Sequence, residues 1–306
     1  MEQDNLTGHR AGFVNIVGNP NVGKSTLMNA LVGERISIIT NKAQTTRHRI
    51  MGIVNTPDMQ IVFSDTPGVL RPVSKLHESM LAFSQSALQD ADILLYLTDT
   101  VESPEKNEEF LAKVKAMAEE SETVVNVIVV INKMDLVDQT TLEALVAQWH
   151  ERLPKAEIIP ISALHGLGTD ILMTRIKALL PLCPPYFEKD ALTDKPARFF
   201  VTEIIREKIL LLYDKEIPYS CEVSVESYKE ENNLVRISAI IYCERDSQKG
   251  ILIGHQGKML RKLGILARKD IEAFLGKKVM LTTFIKVEKD WRNNQRDLNL
   301  FGYNPE

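Results

Sequence analysis

Short apolar runs punctuate the first half of the chain. Phe13-Val14-Asn15-Ile16-Val17, residues 91–99 and residues 124–131 are almost continuously apolar and end in polar or glycine-bearing turns. Runs of that length predict strands buried on both faces. Residues 157–161 predict one more, and residues 51–54 and 60–63 read as a hairpin around Asn55-Thr56-Pro57-Asp58. Residues 104–120 carry helical apolar spacing with Pro104 near the start. Strands alternating with helices predict an α/β domain with a mostly parallel sheet and helices on both faces.

The second half reads differently. Residues 198–213 space Phe199, Val201, Ile204, Ile205, Ile209 and Leu212 as a helix does. Residues 221–226 alternate strictly, as a half-buried strand should, and residues 234–242 supply a hairpin partner through Asn232-Asn233. A helix, a G-x-x-G turn, a second helix to about Leu275 and a strand over 279–287 follow. This order predicts a smaller α+β domain. Between the halves, Pro181-Leu182-Cys183-Pro184-Pro185-Tyr186 denies helix continuation and predicts a stiff connection. The expected organisation is a first domain over 8–180, a linker over 181–197 that wraps the surface, and a second domain with its tail over 198–306.

Composition changes little in this picture. The chain has 306 residues, 44% hydrophobic and 25% charged, as an ordinary globular protein does. Met1–Asn5 is polar and acidic and predicts no signal peptide, and no apolar run is long enough to span a bilayer. Three scattered cysteines, Cys183, Cys221 and Cys243, make neither a disulfide framework nor a metal site, which predicts a reducing cytoplasm. Charge adds more. Residues 1–195 carry 18 Lys/Arg against 25 Asp/Glu, whereas residues 196–306 carry 19 against 16. Within 245–278 nine basic residues face three acidic ones, a candidate polyanion footprint.

The chemistry begins at Gly18-Asn19-Pro20-Asn21-Val22-Gly23-Lys24-Ser25, a G-x-x-x-x-G-K-S loop between a predicted strand and a helix that starts at Thr26. Glycines there let the backbone approach an anion, and the N–H groups at the helix start point at phosphates. Lys24 would reach the β- and γ-phosphates and Ser25 would bind Mg²⁺. The polar loop 35–49 lacks periodicity and fits a nucleotide-sensing switch, in which Thr45 or Thr46, with a lean to Thr46, offers a hydroxyl to Mg²⁺ and an N–H to the γ-phosphate. Asp65-Thr66-Pro67-Gly68 follows a strand. Asp65 could hold Mg²⁺ through a water, and the Gly68 N–H could bond the γ-phosphate. Asn132-Lys133-Met134-Asp135 ends another strand. Asp135 can accept from the N1–H and 2-amino group of guanine, which adenine lacks. Asn132 can bridge to the phosphate loop, the Lys133 stem can cover the base, and Ser162-Ala163-Leu164 can offer N–H groups to the guanine O6. These elements, in this order, predict GTP and GDP as ligands.

Residues 10–180 resemble the translation-factor-like GTPases, and the form with Pro20 and Asn21 is similar to the Era/Der/tRNA-modification subgroup. Val69 stands where Ras-like relatives carry a glutamine, so slow intrinsic hydrolysis is expected. The resemblance implies that a potassium ion, held partly by Asn21, can assist. The string Ile251-Leu252-Ile253-Gly254-His255-Gln256-Gly257-Lys258-Met259-Leu260 resembles a type II KH domain over 198–290. In that module the G-x-x-G loop clamps the backbone of about four nucleotides. The resemblance implies RNA contacts at Ile253, Gly254, His255, Gln256, Gly257, Lys258, Arg261 and Lys262, with bases on the Ile251 and Ile253 region. Trp291 and Tyr303 are expected in the core rather than stacked on bases. A GTPase domain followed by one such module resembles the Era family. That implies a cytoplasmic, monomeric assembly GTPase that binds the 3′ end of small-subunit ribosomal RNA and acts on the small ribosomal subunit, with reported peripheral membrane association. The alternative is a second domain that docks a protein or membrane partner.

Overall fold

The computed structural model describes residues 8–68, 71–120 and 125–304. The expectations at Met1–Asn5, Val69 and Val124 lie outside these residues. They divide into two compact units, one of residues up to 37, 46–71 and 80–194, the other of 38–45, 72–79 and 195–306.

In the first unit β1 (Arg10–Gly18) is followed by α1 (Lys24–Val32), β2 (Ile50–Thr56), β3 (Met59–Asp65) and α2 (Lys75–Gln89). Then come β4 (Ile93–Asp99), α3 (Glu108–Glu120), β5 (Asn126–Asn132), α4 (Gln139–Arg152), β6 (Glu157–Pro160) and α5 (Thr169–Leu179). The sheet order is β2-β3-β1-β4-β5-β6, parallel except for β2, which pairs antiparallel with β3 as the hairpin reading requires. β4 is buried along its whole length. Around Val17, Leu94, Tyr96, Val129 and Ile131 one core packs Phe110, Val114 and Trp149 onto the sheet. The carboxyl ends of β1, β3, β5 and β6 all carry motif residues, which is where ligands of open parallel sheets bind.

Two differences from the sequence reading have local causes. Helix α3 starts at Glu108, not at Pro104, because Asn107 takes φ 67° and breaks the helical path. Residues 181–194 do wrap the first unit, and they do so as a strap on the edge strand. The Ile53 N–H donates to the Leu192 carbonyl at 2.8 Å, and Gly52 bridges Thr193. The fully buried Gln60 accepts the N–H groups of Tyr186 (2.7 Å) and Phe187 (2.9 Å).

The second unit opens with α6 (Ala197–Leu212) and a short α7 (Ile217–Ser220), then β7 (Glu222–Glu230) and β8 (Leu234–Cys243). α8 (Asp246–Ile253), α9 (Lys258–Leu275), β9 (Lys278–Val287) and α10 (Gln295–Leu300) complete it. The sheet order is β7-β8-β9, with β8 and β9 parallel. Val201, Ile205 and Ile209 on α6 and Leu263, Ala267 and Ile271 on α9 recur every four residues and fill one core against Ile237, Ala239 and Ile241. Trp291 and Tyr303 are fully buried, as expected. Among the described residues no helix is long and apolar enough to cross a membrane.

Candidate nucleotide site and nucleic-acid interface

The phosphate loop is shaped by left-handed backbone at Asn21 (φ 66°) and Gly23 (φ 101°), with Gly23 at the start of α1. Lys24 is 6% exposed, and its Nζ donates to the carbonyls of Gly18 (3.1 Å) and Asn19 (2.7 Å). Burial pushes this ammonium down to about 8, with Asp65 and Glu102 pulling the other way. Such a desolvated cation gains most when an anion arrives.

At the other end of the loop three oxygens converge. Ser25 Oγ lies 2.7 Å from Asp65 Oδ2 and 2.8 Å from Thr46 Oγ1, and Thr46 Oγ1 lies 3.2 Å from the same carboxylate. Burial pushes the Asp65 carboxyl up, and the Ser25 hydroxyl and Lys24 partly offset it. Asp65 Oδ1 is buried and has no hydrogen-bond partner among the described residues. Hard oxygens and an orphaned carboxylate oxygen beside a phosphate cradle fit Mg²⁺. Thr45 instead turns inward, its hydroxyl 2.6 Å from both Thr40 Oγ1 and the Lys42 carbonyl. Gly68 packs on Pro20, where an added Cβ would meet the Pro20 Cα at 2.7 Å. Thr66 is buried, its hydroxyl donating to the Ile16 carbonyl at 2.8 Å.

The base side is tied to the same loop. Asn132 Nδ2 donates to the Val22 carbonyl at 2.7 Å, and its Oδ1 accepts the Ala163 N–H at 2.9 Å. Lys133, held at φ 61°, donates to the Asn21 carbonyl at 3.0 Å and pairs with Asp99 at 2.5 Å. Asp135 is free of such ties except to its own pocket. The Ser162 hydroxyl holds its carboxyl below the usual carboxylate range, and His165 Nε2 stands 3.7 Å away. Ser162 and Ala163 are buried and Leu164 is 76% exposed. Thr26 continues α1 beyond the loop. Three supports escaped the sequence reading. Glu102 accepts from Asn19 Nδ2 at 3.0 Å, Asn107 donates to Asn19 Oδ1 at 3.0 Å, and Asp99 takes Lys133. An acid just past the β4 end and an asparagine at a helix start were their only signals.

In the second unit, Gly254 (φ 70°) and Gly257 (φ 75°) frame the loop between α8 and α9, with His255 and Gln256 exposed and Gln256 also left-handed at φ 51°. Lys258 is the first residue of α9, where the helix dipole favours an anion. Arg261 and Lys262 follow on exposed positions. A groove of about 380 Å³ runs from this loop between α9 and β9, lined by Gly257, Leu260, Arg261, Ile265, Arg268 and Leu281 among others. Its apolar lining comes from Leu260, Ile265 and Leu281. Ile251 and Ile253 sit on α8, with Ile251 51% exposed.

The comparisons agree with this geometry. Residues 13–133 match the family model described as 50S ribosome-binding GTPase, and residues 216–292 match the KH domain model. GTPase Era of Geotalea daltonii is 46% identical over 294 residues, covering 96% of this chain and 97% of the relative. The chain belongs to the Era family. GTPase Era of Staphylococcus haemolyticus is 43% identical over 97% of this chain and 98% of its own. A crystal structure of Era with MgGDPNP and nucleotides 1506–1542 of 16S ribosomal RNA matches with TM-score 0.91 and 38% identity, covering 97% of this chain and all of that one. An Aquifex aeolicus Era variant bound to GDP and AlF4⁻ matches with TM-score 0.90 and the same identity and coverage. As an Era-family member the chain is a GTPase with a C-terminal KH domain, and Mg²⁺ is the ion for its triphosphate site.

Proposed function

We propose that this chain is a GTP-controlled grip on single-stranded RNA, and that its RNA is the 3′ end of the small-subunit ribosomal RNA during small-subunit assembly in the cytoplasm. The observation that carries the reading is the Gly254–Gly257 loop at the start of a basic α9, opening onto a groove lined by Leu260, Ile265, Leu281, Arg261 and Arg268. The Era complex with a 16S ribosomal RNA fragment supports the choice of RNA.

On the nucleotide side the chain's own groups divide the work. Lys24 and the amides of residues 21–26 bind the phosphates, and Asp135 reads guanine. The Thr46 N–H and the Gly68 N–H meet the γ-phosphate, while Ser25, Thr46 and, through water, Asp65 hold the metal. Mg²⁺ held by these groups would neutralise the charge that develops on the phosphates. With Val69 in place of a water-orienting glutamine, hydrolysis is slow, and a potassium ion held partly by Asn21 assists it. GTP orders the Thr46 loop and the 65–68 segment and strengthens RNA binding; hydrolysis relaxes both. By linkage, RNA then changes GTP affinity by the same factor.

The test uses the full chain and a labelled RNA of the 16S 3′-terminal sequence beside a scrambled one. Preferential binding that Gly254→Asp and Gly257→Asp abolish is the expected result. Equal binding of both RNAs overturns the choice of RNA. Equal affinities with GDP and a non-hydrolysable GTP analogue sink the coupling.

A further inference from the structure

The loop that delivers Thr46 is held from behind. Within the second unit the Arg206 guanidinium on α6 is buried, at 1% exposure. Its Nη1 donates to the Gln44 carbonyl at 3.3 Å, and its Nη2 donates to the Thr45 carbonyl. Glu203, one turn earlier, fixes the fork by accepting from Nε at 2.8 Å and Nη2 at 2.6 Å. A second anchor lies nearby, where Lys42 Nζ donates to the Tyr213 carbonyl at 2.5 Å and to Asp214 at 2.8 Å. Between the anchors Gln44 is left-handed at φ 57°. A non-glycine residue keeps that conformation only where its surroundings impose it.

The Thr45 carbonyl and the Thr46 N–H belong to one peptide unit. No peptide bond among the described residues is cis, so the two groups point in opposite directions within one plane. A guanidinium that grips the carbonyl therefore aims the N–H away from α6. We infer that Arg206, oriented by Glu203, is a positioning residue that sets the 45–46 peptide plane and thereby the preference for GTP over GDP. The inference rests on the reading above, in which Thr46 meets the γ-phosphate and the metal. GDP has no γ-phosphate and makes no use of that N–H. Arg206 thus governs discrimination between the two nucleotides and leaves the affinity for GDP alone. The fork is what matters: a lysine supplies charge without two donors in one plane.

The test compares affinities for GDP and for a non-hydrolysable GTP analogue, by fluorescence titration of the full chain, in Arg206→Lys and Glu203→Gln. The ratio of analogue to GDP affinity should fall about tenfold in Arg206→Lys, with GDP affinity held within about twofold. Glu203→Gln should shift the ratio in the same direction by less. If Arg206→Lys does not fold, Glu203→Gln and Lys42→Ala, which frees the loop's other anchor, decide the matter. A folded variant set with an unmoved ratio overturns the inference, and so does an equal loss of both affinities, which marks a purely structural role. Failure of the unaltered chain to prefer the analogue at all would remove the underlying reading first.

Discussion

The Asn132 side chain is a strut between two loops: its amide donates to the Val22 carbonyl at 2.7 Å and accepts from the Ala163 N–H at 2.9 Å. One amide thereby sets the distance between the phosphate cradle and the guanine pocket. Val22 and Ala163 are both buried. Asn132→Ala should leave two buried polar groups without partners and cost roughly 2–4 kcal/mol in stability. It should also lower GDP and GTP affinity together, because both use the same span. Thermal unfolding and nucleotide titration on one preparation check this; intact affinity in a destabilised protein would contradict it.

In the proposed function Asp135 is the specificity element. Replacing it by asparagine removes two charge-assisted acceptors and should cost at least about 100-fold in GTP affinity. The same variant should gain affinity for xanthosine triphosphate, whose 2-oxo group suits the new amide donor. The Ser162 hydroxyl holds the Asp135 carboxyl below its usual range. A depressed value means that the ionised form persists as pH falls, so this residue should cause no loss of GTP affinity until pH drops below the ordinary carboxylate range. Titration of GTP binding from pH 8 downward tests the sign.

In the proposed function hydrolysis depends on a divalent ion at the converging oxygens of Ser25, Thr46 and Asp65. Chelation should abolish GTP turnover, and Mg²⁺ should restore it. Thr46→Ala should reduce turnover by about tenfold or more, since it removes a metal ligand aimed at the γ-phosphate. Thr45→Ala should do much less, because the Thr45 hydroxyl serves its own loop. Equal effects from the two alanines would reverse the assignment.

Asn21 and the absence of a glutamine at Val69 make the monovalent ion a variable worth controlling. GTP turnover in matched KCl and NaCl should differ, with potassium faster, and Asn21→Ala should erase the difference. Equal rates in the two salts would remove potassium from the mechanism.

The strings expected to form the nucleotide site were legible because each is local: residues 18–25, 65–68 and 132–135 lie at the ends of β1, β3 and β5. The hairpin of β2 and β3 and the order of the second unit were legible for the same reason, through alternation and turn chemistry. What escaped is what depends on distant partners. Glu203, Arg206, Glu207 and Lys208 were not singled out in the sequence, yet all four are buried on α6. Charges enter an interior only when paired: Glu203 with Arg206 and Glu207 with Lys208 pair within α6, and Lys208 also takes the distant Asp270. The groove between the G-x-x-G helices and the next strand follows from element order, but its lining by Leu260, Ile265 and Leu281 went unnamed. Helix α2 went unread although Leu76, Met80, Phe83 and Ala87 carry its buried stripe.

The strap over 181–194 decides where the chain can be divided. β2 is the outermost strand of its sheet, and its outward groups are spoken for: Ile53 by Leu192, Asn55 by Ala191, Met51 by Thr193 and Asp194. A bare edge of that kind recruits foreign strands. A fragment ending after α5 would expose it and leave the buried Gln60 Oε1 without the Tyr186 and Phe187 N–H groups, whereas one ending after Asp194 would keep both covered. Size-exclusion chromatography of the two fragments should find the shorter one aggregated and the longer one monodisperse, so that the proline-rich stretch belongs to the GTPase half as its selvedge.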